Sequence, residues 1–188
     1  RRILTQGRDG FIHIWKVENQ AAPEKTGSLQ SQHLGFCPAC VANIDDQEPV
    51  IVPNDNNSDV VVKDLNTGSD SYTLSPTGTD PKAYGMVMSL RTFSKDDVAY
   101  LLAGYEDGRV SLWNLAAQSE VSSCKFTDES IMCLDYSTLT NRGVSGSVGP
   151  HLYHFTITDD LQIKKTRNVE ITNPGVQCVM IRDDAKII

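Results

Sequence analysis

The stretch Gly104-Tyr105-Glu106-Asp107-Gly108, followed by Arg109-Val110-Ser111-Leu112-Trp113, decides how this chain folds. Apolar and polar residues alternate after the Asp-Gly pair, which is typical of a β-strand that leaves a tight hairpin turn, and we expect a type I′ turn. The same arrangement begins the chain, where Gln6-Gly7-Arg8-Asp9-Gly10 precedes Phe11-Ile12-His13-Ile14-Trp15. Each Trp lies six positions after its Asp. The repetition predicts that one strand–turn–strand unit is built more than once.

The spacing of the two copies indicates further repeats. Trp15 and Trp113 are 98 positions apart, which leaves room for one weaker copy between them. Val61-Val62-Lys63-Asp64-Leu65 fits that copy, with Asp64 at the place of the Trp, and a later copy ends at Phe155. Spacings of roughly 40–50 residues are typical of β-propeller blades, which are four-stranded sheets stacked around an axis. The sequence therefore predicts an all-β propeller.

The predicted blades follow one another within a single domain. The domain is 1–188, the blades are 1–32, 33–76, 85–127 and 128–172, a loop at 76–85 joins the second blade to the third, and 173–188 begins another blade. About four blades are covered, and we expect about seven in the parent ring by analogy with the commonest propellers. Because the sequence has no initiator Met and stops within an apolar stretch at Ile187-Ile188, we expect the chain to be a fragment of a longer protein.

The composition limits the function. The formal net charge is -7 and the pI about 5.0, whereas nucleic-acid-binding proteins show a basic surface, so we expect no nucleic-acid partner. No apolar run is long enough to span a membrane, and the start of the chain has no signal-peptide pattern. The five Cys are irregularly spaced and odd in number, which favours reduced thiols in the cytosol or nucleus.

Several blocks of the sequence resemble one family. In chain order the blocks are residues 4–10, 35–37, 101–108, 112–113, 143–147 and 172–175. They are similar to the WD-repeat β-propellers of the guanine nucleotide-binding protein β-like type, and the resemblance spans nearly the whole chain. It implies a WD40-type β-propeller that is incomplete here, with about four of seven blades.

The same resemblance implies a function without catalysis. It implies a non-catalytic scaffold or adaptor for other proteins, linked to the chaperone-assisted maturation of phosphatidylinositol 3-kinase-like kinases, with kinase-maturation co-chaperones among its partners. It implies no cofactor and no small-molecule substrate. The sequence departs from strong WD repeats at Asp64 and Phe155, and no Gly-His pair precedes the inner strands. We therefore expect an incomplete buried network of His, Ser, Trp and Asp.

Two other functions stay open, namely a hydrolase with a site in the central channel and a signalling subunit like G-protein β. The hydrolase would need ionisable groups that converge from the inner strands, and the predicted inner strands 86–90 and 131–134 are apolar. Neither a G-x-S-x-G nor a Walker A sequence occurs. Asp9 and Asp107 invite a catalytic interpretation as paired carboxylates, but each precedes Gly in a repeated turn, so we assign them to the architecture.

Two short motifs suggest metal or redox chemistry. Cys37-Pro38-Ala39-Cys40 lies in a strand-rich region rather than at a helix start, and zinc would need two more ligands, of which His33 alone is close in sequence. His151 and His154 lie three positions apart, which places them on opposite faces of a strand. We interpret both pairs as structural and predict no metal site.

The candidate residues fall into two groups. The structural repeat contains Asp9, Gly10, Trp15, Asp107, Gly108 and Trp113. We expect both Trp side chains to pack between blades, because large aromatic residues supply buried area. Arg8, Tyr105 and Glu106 flank the turns on a face where propellers often meet partners, and Tyr and Arg are frequent in binding hot spots. We predict these three as partner-binding residues.

Overall fold

The computed structural model describes residues 1–18, 21–31, 35, 37–44, 47–54, 58–77, 84–182 and 184. His33, Phe36 and most of the predicted 76–85 loop lie outside the described residues. In the described part of the chain all regular secondary structure is β-strand, which confirms the all-β prediction.

The described strands form four antiparallel sheets, in which each strand pairs with the next along the chain. The first sheet contains β1 (Arg2–Gln6), β2 (Phe11–Lys16) and β3 (Glu24–Gln30). The second contains β4 (Cys40–Val41), β5 (Val50–Pro53), β6 (Val60–Lys63) and β7 (Asp70–Leu74). The third contains β8 (Val87–Lys95), β9 (Val98–Tyr105), β10 (Arg109–Asn114) and β11 (Ser119–Lys125). The fourth contains β12 (Ile131–Ser137), β13 (Arg142–Ser147), β14 (His151–Ile157) and β15 (Ile163–Glu170).

The four sheets pack face to face in chain order, with an apolar cluster in each gap between them. Ile12 and Ile14 of the first sheet share a cluster with Val50 and Val52 of the second. Ile51, which points the other way, packs toward the third sheet. A strand that is covered on both faces must be apolar throughout, which explains the continuous valine and isoleucine of β5. The blade boundaries within a closed ring stay a prediction.

A β-bulge marks the same position in every sheet. The pairing of β2, β6, β10 and β14 with the last strand of their sheet shifts by one residue directly before Trp15, Lys63, Trp113 and Phe155, respectively. A bulge increases the local twist of the strand. Lys63, and not Asp64, therefore occupies the Trp position of the second sheet, and the alignment predicted from the sequence is wrong by one residue. 

Asp64 has a different role, because its carboxylate closes the turn that follows β6. Its Oδ1 accepts hydrogen bonds from the backbone N–H groups of Asn66 at 2.8 Å and of Thr67 at 2.7 Å. These bonds lower the pKa of Asp64, the bond from Thr67 being the largest cause. Asp side chains often accept hydrogen bonds from the backbone of their own turn, whereas a Trp side chain has no oxygen with which to do so.

The two Trp residues differ in their surroundings, although they occupy equivalent positions. Trp113 is 1% exposed and lies in the cluster between the second and third sheets. Trp15 is half-buried, and its indole N–H donates to Thr5 Oγ1 at 2.8 Å. Its ring lies on the face of the first sheet that no other described sheet covers, beside Ile3 and Val17. The prediction that both rings pack between sheets is therefore wrong for Trp15.

The Asp-Gly turn of the third sheet also departs from the prediction. A type I′ turn needs positive φ at both central residues, whereas Gly108 has φ +86° and Asp107 stays outside the left-handed region. Gly108 N–H donates to Tyr105 O at 3.2 Å. Glu106 and Asp107 thus turn the chain, and Gly108 follows in the left-handed conformation. This is the three-residue hairpin loop with a G1 bulge.

We predict that the ion pair between Lys63 and Asp70 is sensitive to the loss of either partner. The Lys63 side chain is buried and its ammonium contacts the exposed Asp70 carboxylate. Asp70→Asn should lower the free energy of unfolding by about 1–3 kcal/mol, because it leaves a buried ammonium without its counter-charge. Adding Lys63→Met should recover most of the loss, as urea unfolding of both variants will measure. Equal losses in the single and double variants would contradict this, and Lys125→Met, which breaks an exposed pair with Asp128, is the control.

Candidate protein-binding face

The turns β1–β2, β9–β10 and β13–β14 all lie at one end of the sheets, because the sheets share the same strand order. Asp9 and Asp107 make equivalent hydrogen bonds in the β1–β2 and β9–β10 turns. Asp9 Oδ1 accepts the backbone N–H of Phe11 at 3.1 Å, and Asp107 Oδ1 accepts that of Arg109 at 3.0 Å. Both carboxylates are thus held by the backbone that follows the turn, which is an architectural role.

Hydrogen bonds join this end of the third sheet to the fourth. Glu106 N–H donates to Met86 O at 2.9 Å, and Met86 N–H donates to Glu106 Oε2 at 3.1 Å. Ser130 Oγ donates to Glu106 O at 3.2 Å, and Val148 N–H donates to Ser130 O at 3.2 Å. We name Met86, Glu106, Ser130 and Val148 the turn face. Its apolar members are exposed, Met86 at 43% and Val148 at 53%.

The turn face has the composition of a protein-binding surface. It combines two exposed apolar side chains with an exposed carboxylate, and hydrogen bonds join the segments that carry them at the ends of strands. Loops that a rigid scaffold positions are common binding elements. From the sequence, Met86 was expected in an inner strand, and Val148 had no predicted role. The missed signal is the position of Val148 in the β13–β14 turn, which is equivalent to that of Glu106.

The three predicted partner-binding residues do not share one environment. Arg8 and Glu106 are exposed, as predicted, and their binding role stays a prediction. Tyr105 is 0% exposed, so its predicted place on the surface is wrong. Its ring packs edge-on against Tyr84, with centroids 5.2 Å apart, in the cluster that also contains Trp113. Burial raises the pKa of its hydroxyl. Tyr105 is the last residue of β9, and its side chain points between the sheets rather than toward the turn.

The Cys37–Cys40 motif has the properties of packed thiols. Cys37 is buried, and burial raises the pKa of its thiol well above the usual range. Burial likewise raises the pKa of Cys40 to about 12. A thiol must ionise to attack a disulfide or bind zinc, and these shifts oppose ionisation. Gln6 holds the segment between the two cysteines, because Gln6 Nε2 donates to Cys37 O at 3.3 Å and Gln6 Oε1 accepts the N–H of Ala39 at 2.5 Å.

A chain of Ser, His and Asp lies on the uncovered face of the first sheet. His13 Nε2 lies 3.0 Å from Asp9 Oδ2, and His13 Nδ1 lies 3.0 Å from Ser28 Oγ. The imidazole stacks on Phe11, with ring centroids 6.2 Å apart. Residues of this kind can form a catalytic triad, which also needs oxyanion donors beside the nucleophile. Here Asp9 lies in the β1–β2 turn, His13 on β2 and Ser28 on β3, and the three side chains tie that turn to β3.

The innermost strands of the third and fourth sheets are less apolar than the sequence predicted. Arg91 Nε of β8 lies 2.8 Å from Asp135 Oδ1 of β12. Asp135 Oδ2 also accepts the backbone N–H of Ile181 at 2.7 Å. The Asp135 carboxylate thus pairs with Arg91 and with the backbone of Ile181, so it connects two sheets and the segment after the fourth. Such a pair stabilises the packing of strands, whereas a hydrolase would need a carboxylate directed toward a substrate.

Among the described residues, no group of three or more His, Cys, Asp and Glu side chains could hold a metal ion. His151 and His154 lie on opposite faces of β14, as three-residue spacing in a strand requires. No helix in the part of the chain that the structure describes is long and apolar enough to cross a membrane.

Stacked antiparallel sheets with a repeated bulge and a repeated Asp-Gly turn define the class of this protein, which has the fold of a WD-repeat β-propeller. A chain in the crystal structure of the mitotic checkpoint complex matches with a TM-score of 0.73 and 16% identity, over 98% of this chain and 55% of that one. The computationally designed Ika8 protein matches with a TM-score of 0.67 and 17% identity, over 99% of this chain and 54% of the designed one.

In sequence the chain is 32% identical over 190 residues to guanine nucleotide-binding protein subunit beta-like protein 1 of Mus musculus, a match that covers 100% of this chain and 57% of the mouse protein. It is 24% identical over 221 residues to ASTRA-associated protein 1 of Verticillium alfalfae, which covers 99% of this chain and 54% of the fungal protein. The chain thus spans little more than half the length of these relatives. The resemblance identified from the sequence is confirmed. No protein-family model matches the chain.

Proposed function

We propose that this chain is a non-catalytic scaffold that binds other proteins through the turn face. The observation that carries the proposal is the pair of exposed apolar residues Met86 and Val148, which hydrogen bonds link to the exposed Glu106, Met86 directly and Val148 by way of Ser130. The similarity to a WD-repeat relative, which extends over the whole of this chain, supports a protein-interaction scaffold. Binding then depends on complementary shape and charge at rigid turns, with no chemical turnover.

We further propose that the partners are factors that mature phosphatidylinositol 3-kinase-like kinases, including their co-chaperones. Two similarities support this assignment, namely the guanine nucleotide-binding protein β-like relative and ASTRA-associated protein 1, whose name states that it associates with ASTRA. We place the chain in the cytoplasm or nucleus, and the five free thiols support this location.

A charge placed on the turn face should abolish partner capture. We expect Val148→Asp to reduce recovered partner protein at least about tenfold, because burying an unpaired carboxylate in an interface is unfavourable by more than 1.4 kcal/mol. Leu139→Asp is the matched control, since Leu139 is 81% exposed and lies in the β12–β13 turn at the other end of the sheets. Affinity capture with quantitative mass spectrometry of kinase-maturation factors measures both variants.

The outcomes of the capture experiment separate two questions. Equal recovery by Val148→Asp and the wild-type chain would overturn the choice of face. Failure of the wild-type chain to recover any kinase-maturation factor would overturn the proposed partners. Circular dichroism of both variants should match that of the wild type, because both substituted side chains are exposed.

A further inference from the structure

A carboxylate lies directly beside Met86 of the turn face. Glu106 is exposed, and its Oε2 would be 2.8 Å from a Cβ atom at Gly85, the residue before Met86. The carboxylate therefore rests against the backbone that carries Met86, where it also accepts the Met86 N–H. The third sheet has a described sheet packed on each of its two faces. The exposure of Met86 and Glu106 at its end therefore does not depend on any sheet beyond the fourth.

A second carboxylate lies beside Val148 in the same arrangement. Glu129 is exposed, and a Cβ atom at Gly149, the residue after Val148, would collide with Glu129 Oε2. Ser147 Oγ holds this carboxylate by donating to Oε2 at 3.2 Å. The segment that leaves the fourth sheet already packs here, since Gly175 N–H donates to Gly149 O at 3.3 Å, and Val148 is still 53% exposed. Each exposed apolar residue of the turn face thus has its own neighbouring carboxylate.

These two carboxylates have no counter-charge. Within the described residues, neither Glu106 nor Glu129 forms an ion pair. The positive side chains closest to them in the sequence are engaged by other groups. Arg109 lies over a tyrosine ring, 4.4 Å from the centroid, and Lys125 Nζ lies 2.8 Å from Asp128 Oδ1. The turn face therefore presents two negative charges directly beside two apolar side chains.

This combination limits the chemistry of what can cover the turn face. Covering an apolar side chain is favourable, whereas covering a carboxylate without a counter-charge is strongly unfavourable. A partner that packs on Met86 or Val148 also covers the carboxylate beside it, so the partner must bring cations as well as apolar side chains. Arg and Lys suit such a surface, because their stems pack on apolar groups while their charged heads pair with carboxylates.

We propose that the turn face binds a segment of a partner protein that presents basic and apolar side chains together on one face. Its Arg or Lys residues pair with Glu106 and Glu129, and its apolar residues cover Met86 and Val148. Complementary charge of this kind favours one partner over another, and its effect weakens as the salt concentration rises. The inference deepens the proposed scaffold function and rests on it, since it names the chemistry of what binds at the same face.

A labelled peptide of Leu-Ser-Arg-Ser repeats tests the proposal on the purified chain, because an extended peptide of this sequence presents Leu and Arg on the same face. Fluorescence anisotropy should show saturable binding. The matched Leu-Ser-Gln-Ser and Ala-Ser-Arg-Ser peptides should each bind at least about tenfold more weakly, since the first lacks the charges and the second lacks the apolar contacts.

Variants of the two glutamates show where the peptide binds. Glu106→Gln combined with Glu129→Gln should weaken binding about tenfold and reduce its salt dependence, although glutamine keeps an oxygen that accepts the same hydrogen bonds. Glu24→Gln combined with Asp97→Asn removes the same charge at the other end of the sheets and should leave binding unchanged. Glu106→Lys combined with Glu129→Lys should reverse the preference, so that a Leu-Ser-Glu-Ser peptide binds in place of the arginine peptide.

The proposal is overturned if the arginine and glutamine peptides bind equally, if the double glutamine variant binds as the wild type does, or if the double lysine variant still prefers arginine. The capture experiment separates this inference from the proposed function. Partner capture that Val148→Asp abolishes and the double glutamine variant retains would overturn this inference alone. Equal capture by Val148→Asp and the wild type would overturn the choice of face, and this inference with it.

Discussion

Replacing Trp113 with Ala should lower the free energy of unfolding by about 3–5 kcal/mol, which is the usual loss for a large aromatic residue in a packed core. Trp113 lies between the second and third sheets with Tyr105 and Leu101. Its removal leaves a void that strands on both sides cannot fill, because each strand is held in register by its neighbours. Urea unfolding followed by circular dichroism measures the change.

Trp15→Ala is the matched control, since Trp15 occupies the same position of the repeat. Its ring is half-buried and has solvent on one side, so we expect a loss of about 1 kcal/mol, from partial burial and the hydrogen bond to Thr5. Trp113→Phe should fall between the two, because Phe155 fills this position in the fourth sheet at 1% exposure. If Trp15→Ala lowered the free energy of unfolding as much as Trp113→Ala, the prediction would be wrong, because the Trp15 face of the first sheet would then have to be packed.

Gly108→Ala should lower the free energy of unfolding by about 3 kcal/mol or prevent folding. The residue has φ +86°, a conformation that costs a side chain about 1–2 kcal/mol. A Cβ atom would also lie 2.1 Å from Thr127 O and 2.8 Å from Glu129 O, and backbone atoms of a neighbouring loop cannot move aside as a flexible side chain does. The thermal midpoint of the purified variant, compared with the wild type, measures the effect.

Two other glycines separate the contributions to this effect. Gly68→Ala carries the φ cost at +74° but meets the flexible end of Leu29 at 3.1 Å, so we expect about 1 kcal/mol. Gly7→Ala has no positive φ and meets the carboxylate of Asp9 at 3.1 Å, so it should be nearly neutral. A loss for Gly68 equal to that for Gly108 would show that φ alone decides, and would refute the collision with the loop. If Gly108→Ala does not fold while Gly68→Ala and Gly7→Ala do, the collision with the loop, and not the positive φ alone, still accounts for the loss.

Features that depend on neighbouring residues in the chain could be predicted from the sequence. Alternating residues before Trp15 and Trp113 predicted β2 and β10, because side chains in a strand alternate between two faces whatever packs on them. The Asp-Gly pairs predicted turns with a left-handed glycine, which Gly10 and Gly108 confirm. The turn type was wrong, since it depends on how many residues separate the paired strands, and the pattern does not reveal where pairing stops.

The candidate binding residues were predicted less well, for a related reason. Tyr105 was expected on the surface because it precedes a turn, yet the strand ends in the gap between two sheets. Val148 was overlooked because a single valine in a Gly-rich stretch carries no periodic signal. Lys63 was misaligned because the bulge that sets its position is a relation between two strands. Each error concerns a contact between elements that local patterns do not encode.

By itself, the sequence determined the strands, the turns and the repetition of one β-unit, since these follow from backbone preferences and from alternation along a few residues. Tertiary structure alone decided which face of each strand is covered. Trp113 is buried and Trp15 is not, although their local sequences are alike. Likewise Arg142, His154 and Arg167 form one groove because three strands of the fourth sheet place them side by side. Burial and charge clustering depend on which sheets meet, and that is a property of the assembled chain.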